Sequence, residues 1–277
     1  MWKLYKKESS FGIDGLYSVF FKTVKDGFLF PGEVHDFWEM MYCMKGSATV
    51  SAGERVFTLK ENQIVFFHPM EFHSFRVERE IKSNFFIASF EISGDLTDRL
   101  SNRIFELGQE HIRVINEIFN RLRQCKTDIN EDHPAAFLNA LSETPYSLNV
   151  ITNMFENLVI SLSREDSLKA HLVKNQSTRI YANALRLIDE NLSEKITVET
   201  LSKKCNVSST YLKDLFKKYN GLGVHEYILK IKILHAKQML QNGETVTETA
   251  EKSGFASQTY FSTAFKRETG FSPSKYK

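Results

Sequence analysis

One block of residues near the C-terminal end of the chain occurs twice. Ser208-Ser-Thr-Tyr-Leu-x3-Phe216-Lys-Lys-x2-Gly221 returns as Ser257-Gln-Thr-Tyr-Phe-x3-Phe265-Lys-Arg-x2-Gly270, offset by 49 residues at every matched position. Just upstream, Ser202-x3-Asn206 is matched by Ala250-x3-Gly254. Self-similarity in a fixed frame marks a repeated supersecondary unit. The parts present are those of a helix-turn-helix, two short helices crossing steeply around a turn of three or four residues.

In the first unit Thr197 can cap a helix that carries Val198, Leu201 and Cys205 on one face, and the small Ser202 lets the next helix approach closely. Asn206 suits a left-handed turn position, and Ser208 caps a second helix with Leu212, Leu215, Phe216 and Tyr219 inward. The second unit reads with Thr247 as cap, Ala250 at the crossing, Gly254 in the turn, and Phe255, Tyr260, Phe261, Ala264 and Phe265 buried. Gly221 and Gly270 stand where the second helices should end, and Pro273 follows as a stop. Between the units, 224–241 reads as one amphipathic helix with Ile228, Ile231, Leu234 and Met239 broadly on one side. Its 18 residues span about 27 Å at 1.5 Å each. That length can hold two reading units near the roughly 34 Å spacing of successive major-groove openings on one DNA face.

Charge is distributed unevenly. Of 36 Lys/Arg and 34 Asp/Glu, residues 178–277 hold 16 and 10, so that part is about +6 and the remainder about −4. Only the C-terminal part is suited to meet a polyanion.

The stretch Ala250-Glu-Lys-Ser-Gly254-Phe255-x4-Tyr260-Phe261-Ser262-x2-Phe265-Lys266-x3-Gly270-Phe271-Ser272-Pro273-x2-Tyr276-Lys277 closely resembles the C-terminal pattern of AraC/XylS regulators. The first unit departs from that pattern at Ser202, commonly alanine, and Asn206, commonly glycine. The resemblance implies a sequence-specific transcription regulator of double-stranded promoter or operator DNA, with RNA polymerase as a partner, while activator and repressor both stand open. It further implies that residues near the start of each second helix meet base edges: Ser209, Thr210, Lys213 and Asp214 in the first unit, Gln258, Thr259, Ser262 and Thr263 in the second. Lysine can donate to guanine and glutamine can pair with adenine, while threonine methyls can touch thymine. Lys217, Lys218, Lys266 and Arg267 are placed for phosphates, which position a protein without selecting sequence.

From Ser18 to Ile92 the period changes. Phe37 to Met44, Ala48 to Ser51, Val56 to Leu59, Ile64 to Phe67 and Phe85 to Ile92 are β-rich runs separated by turn residues, as in an antiparallel sandwich or small barrel. Gly53-Glu54 looks like a hairpin turn. Within this stretch, Gly32-Glu-Val-His35-x3-Glu39-x6-Gly46 and Pro69-x3-His73 resemble the two motifs of cupin barrels. Glu33 stands where the first histidine of the metal set is usual, and the second motif lacks its glycines and final asparagine.

The cupin-like layout implies an effector pocket, with a sugar or related small metabolite as its class of ligand. His35, Phe37, Trp38, Glu39 and His73 are the expected lining, an aromatic platform beside a few polar groups. No metal or other cofactor is expected: structural or ligand-contact roles for His35, Glu39 and His73 are preferred to a metal centre, which needs three or four converging ligands. Two readings stand beside the effector-controlled regulator: a ligand-independent regulator with the barrel as an assembly module, and a cupin metalloenzyme fused to a DNA-binding domain.

Beyond the barrel, Ile112, Ile115, Phe119 and Leu122 form one helical stripe, and Leu148, Ile151, Phe155, Leu158 and Leu162 another. They can pack on the barrel or on a second copy, and the family resemblance favours a homodimer. Cys43, Cys125 and Cys205 are expected as reduced, partly buried thiols. The first ten residues lack the apolar core of a signal peptide and no run reaches membrane-spanning length, so a cytoplasmic protein with no membrane partner is expected.

The expected fold is α+β and multidomain. A cupin-like antiparallel β-barrel occupies 1–107, a helical dimerisation or packing segment 108–163, and a linker 164–177. An all-α domain with two helix-turn-helix units, at about 195–221 and 245–270, fills 178–277. Enzymatic activity is not expected.

Overall fold

A computed structural model describes residues 11–25, 27–94, 97–124, 141, 145–164 and 175–276. Among the described residues, nine strands form two facing antiparallel sheets. One sheet orders β1 (Phe11–Val24), β8 (Ser83–Gly94), β3 (Trp38–Lys45), β6 (Gln63–Phe67) and β9 (Ile104–Glu106). The other orders β2 (Leu29–Glu33), β7 (His73–Arg76), β4 (Ser47–Ala52) and β5 (Arg55–Lys60). The five β-rich runs are β3, β4, β5, β6 and β8, and Gly53 turns between β4 and β5 at a φ of 49°.

Residues alternate between two cores because side chains switch faces along a strand. Met41, Cys43, Val65, Phe67, Phe85 and Ile87 meet Val50, Ala52, Phe57, Leu59 and Phe75 from the opposing sheet inside the barrel. On the outer face Trp38, Met40, Tyr42, Phe66, Phe86 and Phe90 are covered by α2 (Gln109–Gln124) and α3 (Ser147–Arg164), while α1 (Thr97–Leu100) is a single turn before β9. Burial on both faces explains why β3 and β8 read as continuous apolar runs. Ile115, Phe119 and Leu122 of α2 and Ile151, Phe155, Leu158 and Leu162 of α3 are all buried in this outer core. The two stripes therefore pack intramolecularly.

Six helices follow: α4 (Gln176–Asp189), α5 (Val198–Lys204), α6 (Ser209–Asn220), α7 (Val224–Gln241), α8 (Val246–Lys252) and α9 (Gln258–Thr269). Thr197 and Ser208 cap α5 and α6, and Asn206 turns between them at a φ of 55°. Gly221 and Gly270 close α6 and α9 in the left-handed conformation.

Three local expectations are corrected. Thr245, not Thr247, caps α8: its hydroxyl accepts from the Glu248 N–H while the Glu248 carboxylate reaches back to the Thr245 N–H, a reciprocal cap. Tyr260 is not buried but 45% exposed, like its repeat partner Tyr211 at 39%. Helix α7 is not one-sided: Ile228 and Ile231 join the core of the first unit, while Leu229, Ile233, Ala236 and Leu240 join that of the second. Packing between two units surrounds it with apolar neighbours, and Met239 is only partly covered.

The two halves share a core. Val56 and Phe72 of the barrel pack with Tyr181, Leu185, Phe216, Tyr219 and Tyr227 of the helical half. The rings of Phe72 and Tyr227 meet edge-on at 4.8 Å, Ser51 Oγ donates to the Tyr181 hydroxyl at 3.4 Å, and Lys237 pairs with Asp36 at 3.5 Å. Gly221 lies so close to Pro31 that a Cβ there would sit 2.8 Å from Pro31 Cα.

Cys43 and Cys205 are buried free thiols, and burial pushes Cys43 up to about 12. Cys125, the N-terminal ten residues and most of the expected 164–177 linker lie outside the described residues. Among the described residues, no helix is long and apolar enough to cross a membrane.

Candidate DNA-reading surface and barrel cavity

Helices α6 and α9 are equivalent, each 12 residues long and each opened by a serine cap. Thr210, Lys213 and Asp214 on α6, and Gln258, Thr259 and Thr263 on α9, are exposed on the side away from the buried Leu212, Phe216, Phe261 and Phe265. Ser209 and Ser262 are half-buried. Ser209 shares a 3.0 Å hydrogen bond with Ser202 at the helix crossing, so the departure from alanine at 202 is used to tie the two helices of the first unit. Gln258 accepts from Thr247 at 3.3 Å, which orients its amide. Among the basic candidates, Lys218 and Lys266 are exposed in the last turns of α6 and α9. Lys217 instead donates to the Gly221 carbonyl at 3.2 Å, and Arg267 pairs with Glu268 at 2.9 Å.

The relation between the two units is fixed by a lysine that the repeat gives no hint of. Lys232, at the middle of α7, is buried and donates to the Glu194 carbonyl at 3.0 Å and the Gly254 carbonyl at 2.9 Å. It thereby joins the segment before α5 to the turn of the second unit.

Between the two sheets lies a cavity of about 260 Å³, lined by Glu33, His35, Phe37, Glu39 and His73 together with Lys22, Phe30 and Ser89. Four of the five expected lining residues are present. Trp38 is the exception: alternation along β3 sends Glu39 and Met41 inward and Trp38 into the outer core, where its ring meets His68 edge-on. Glu33, not among the expected lining residues, also faces the cavity. It is opposite His73 in the β2/β7 pairing; the strands are short and irregular, and the sequence signal for Glu33 is its place at the first histidine position of the cupin-like motif.

The polar groups converge. His73 Nε2 lies 3.2 Å from Glu39 Oε1 and 3.9 Å from Glu33 Oε1, while His35 Nε2 lies 3.8 Å from Glu39 Oε2. His73 stacks flat on Phe67 and His35 flat on Phe37. Each Nδ1 faces a main-chain carbonyl, His35 that of Phe37 at 2.9 Å and His73 that of Glu71 at 3.0 Å. Burial, assisted by His73, pushes His35 down to about 4. For His73 burial works downward, but contact with Glu39 and the charge of Glu33 raise it overall. Burial alone would raise Glu39, yet His73 and His35 hold it below its ordinary value, and Ser89 donates to it at 3.0 Å. Glu33 is raised by burial and by Glu39, against the opposing charges of His73, Lys230 and Lys22.

Comparison with known proteins agrees with this arrangement. Residues 20–170 match the family model of the AraC-like ligand-binding domain, and 201–277 match a helix-turn-helix domain model. The chain belongs to the AraC family of DNA-binding transcription regulators and carries an N-terminal ligand-binding domain. It is 19% identical over 253 residues to the HTH-type transcriptional activator RhaR of Shigella dysenteriae serotype 1 (strain Sd197), covering 90% of this chain and 87% of that one. The same values hold for RhaR of Escherichia coli (strain K12). Among solved structures, ToxT from Vibrio cholerae O395 aligns at 17% identity and a TM-score of 0.38, covering 97% of each chain. The C-terminal domain of AraT, a response regulator from Geobacillus stearothermophilus, aligns at 32% identity and a TM-score of 0.35, covering 37% of this chain and 86% of that one.

Proposed function

We propose that this regulator reads a bipartite site in duplex DNA with α6 and α9 and that a small molecule in the barrel cavity sets how it does so. The observation carrying this is the pair of equivalent, serine-capped helices whose exposed faces are polar while their inner faces are packed. Thr210, Lys213 and Asp214 then meet base edges from the first unit and Gln258, Thr259 and Thr263 from the second, with Ser209 and Ser262 at the margins. Lys218 and Lys266 grip phosphates, and Lys217 and Arg267 do so after leaving their intramolecular partners. Tyr211 and Tyr260, exposed at matching positions, add contacts to the sugar-phosphate backbone.

The cavity volume of about 260 Å³ lies just below the range of roughly 300 to 1,000 Å³ usual for ligand sites and limits an organic effector to roughly the size of a monosaccharide. Polar groups beside the Phe37 and Phe30 rings suit a sugar. A route to the DNA-binding half is built into β7. His73 faces the cavity, while its neighbour Phe72 packs on Tyr227 and its other neighbour Ser74 donates to the Tyr219 carbonyl. An effector shifts the balance only by binding one arrangement more tightly than the other.

In this reading residues 1–107 form the effector barrel, 108–163 the helices that also serve a homodimer through their uncovered faces, 164–177 the linker and 178–277 the DNA-binding domain. The protein acts in the cytoplasm as an activator beside RNA polymerase. A thermal-unfolding screen of the full chain against monosaccharides, followed by footprinting with any stabilising compound, tests it. A sugar should raise the unfolding midpoint and change the footprint; a footprint unchanged by every stabilising compound would contradict effector control.

A further inference from the structure

A cleft of about 700 Å³ lies between the two helix-turn-helix units, well within the size usual for ligand sites. Its apolar wall comes from both units and from the helix that joins them. Ile196 and Val198 stand where α5 begins, Ile228 and Leu229 on α7, and Phe255 and Tyr260 at the turn of the second unit and the start of α9. All of its lining residues fall within 193–260, so the barrel takes no part in it.

Lys232 is the one buried charge in that lining. An ammonium group carries three N–H donors. Two of them serve the Glu194 and Gly254 carbonyls at 3.0 and 2.9 Å, and the Phe255 ring lies 5.8 Å away. All three partners are neutral. Among the described residues no carboxylate pairs with Lys232, and burial holds its ammonium below the ordinary lysine value. A buried charge without a counter-ion is costly. Holding the two units in register uses two of the three donors and leaves the charge uncompensated. The other charged or titratable groups of the lining, Lys195, Glu199, His225 and Glu251, are exposed, so water and salt screen them and the buried ammonium sets the electrostatic character of the inner wall.

We propose that this cleft binds a small organic anion, with a carboxylate on the third N–H of Lys232 and a compact apolar body among Ile196, Val198, Leu229 and Phe255. Such an anion supplies what the cleft lacks, a counter-ion to the ammonium and apolar surface for the open wall, and a charge-assisted hydrogen bond fixes its orientation. Touching both units, it adds to the bonds by which Lys232 sets their relation. The site is separate from the barrel and its effector, and its test needs neither a sugar nor DNA.

The full chain is titrated by calorimetry with 2-naphthoate and with its neutral counterpart 2-naphthamide, which carry the same apolar body. Wild type should bind one equivalent of naphthoate, at least tenfold more tightly than the amide. Lys232→Met should lose that preference, acid and amide then binding within about twofold of each other, with circular dichroism of the variant compared with wild type. Ala256 is exposed at the edge of the cleft, so Ala256→Trp adds bulk there while leaving Lys232 in place; it should weaken naphthoate at least tenfold. If Lys232→Met does not fold, Ala256→Trp and the comparison of acid with amide in wild type decide the matter. Three results would overturn the site: no binding at millimolar naphthoate, equal affinities of wild type for acid and amide, or undiminished binding by Ala256→Trp, which would put the naphthoate in the barrel or elsewhere on the surface. Retention of the acid preference by Lys232→Met would overturn the role of its ammonium.

Discussion

The Ser74 hydroxyl donates a 2.6 Å hydrogen bond to the main-chain carbonyl of Tyr219, joining strand β7 of the barrel to the last turn of α6 across 145 residues of sequence. Both residues are buried. Removing the donor leaves a carbonyl at a helix end without its partner, so Ser74→Ala should lower stability by about 1 to 3 kcal/mol. Urea unfolding of the full chain measures this. A change below about 0.3 kcal/mol would mean that water replaces the hydroxyl and that the halves are not held here.

Gly221 and Gly270 offer an internal comparison. Both adopt left-handed backbone, with φ of 73° and 80°. A Cβ at 221 would meet Pro31 of the barrel at 2.8 Å, whereas at 270 it meets nothing within 4 Å. Gly270→Ala should therefore cost only the conformational penalty, about 1 to 2 kcal/mol. Gly221→Ala should cost more and, beyond stability, should displace the barrel from α6. Equal unfolding midpoints for the two variants would contradict the docked arrangement.

Lys232 holds the two units in register through the Glu194 and Gly254 carbonyls. Lys232→Met keeps the apolar stem and deletes both bonds, with an expected cost of about 1 to 3 kcal/mol. Its more specific consequence should be in recognition: the variant should bind either half of its DNA site as well as wild type but tolerate altered spacing between halves. A spacing preference identical to that of wild type would remove Lys232 from that role.

Lys218→Ala and Lys266→Ala should each weaken binding to all DNA sequences similarly and reduce the slope of log affinity against log salt by about 1. A sequence-selective loss at either position would contradict a phosphate contact. Lys217→Ala should also cost stability, because Lys217 caps α6 through the Gly221 carbonyl.

Much of the helical half was legible because the constraints there are local. Caps, left-handed turn residues and the α6/α9 repeat each depend on neighbours a few positions away. The Thr247 error has a local cause as well. Helices α5 and α8 are offset by 48 residues and α6 and α9 by 49, so the turn of the second unit is one residue longer. Carrying the 48-residue offset of Ser202 and Ala250 back to Thr197 would have led to Thr245. In the barrel, by contrast, β1, β2, β7 and β9 were missed because they are held by long-range pairing rather than by pattern; β7 has only four residues. The entry of Glu33 into the cavity followed from that pairing. Trp38 was misplaced because both faces of β3 are buried, which hides the alternation that tells inward from outward residues.

Selection of binding sites from random duplex DNA by the full chain, repeated with Lys213→Ala and Gln258→Ala, is the most direct test of DNA reading by two units. The expected result is a bipartite motif with elements about one helical turn apart, each variant losing about 1 to 3 kcal/mol and relaxing selectivity within its own element. Enrichment of a single element would leave one unit reading and the other gripping backbone. No enrichment over random DNA, or equal losses by both variants on cognate and random sequences, would contradict base reading by α6 and α9.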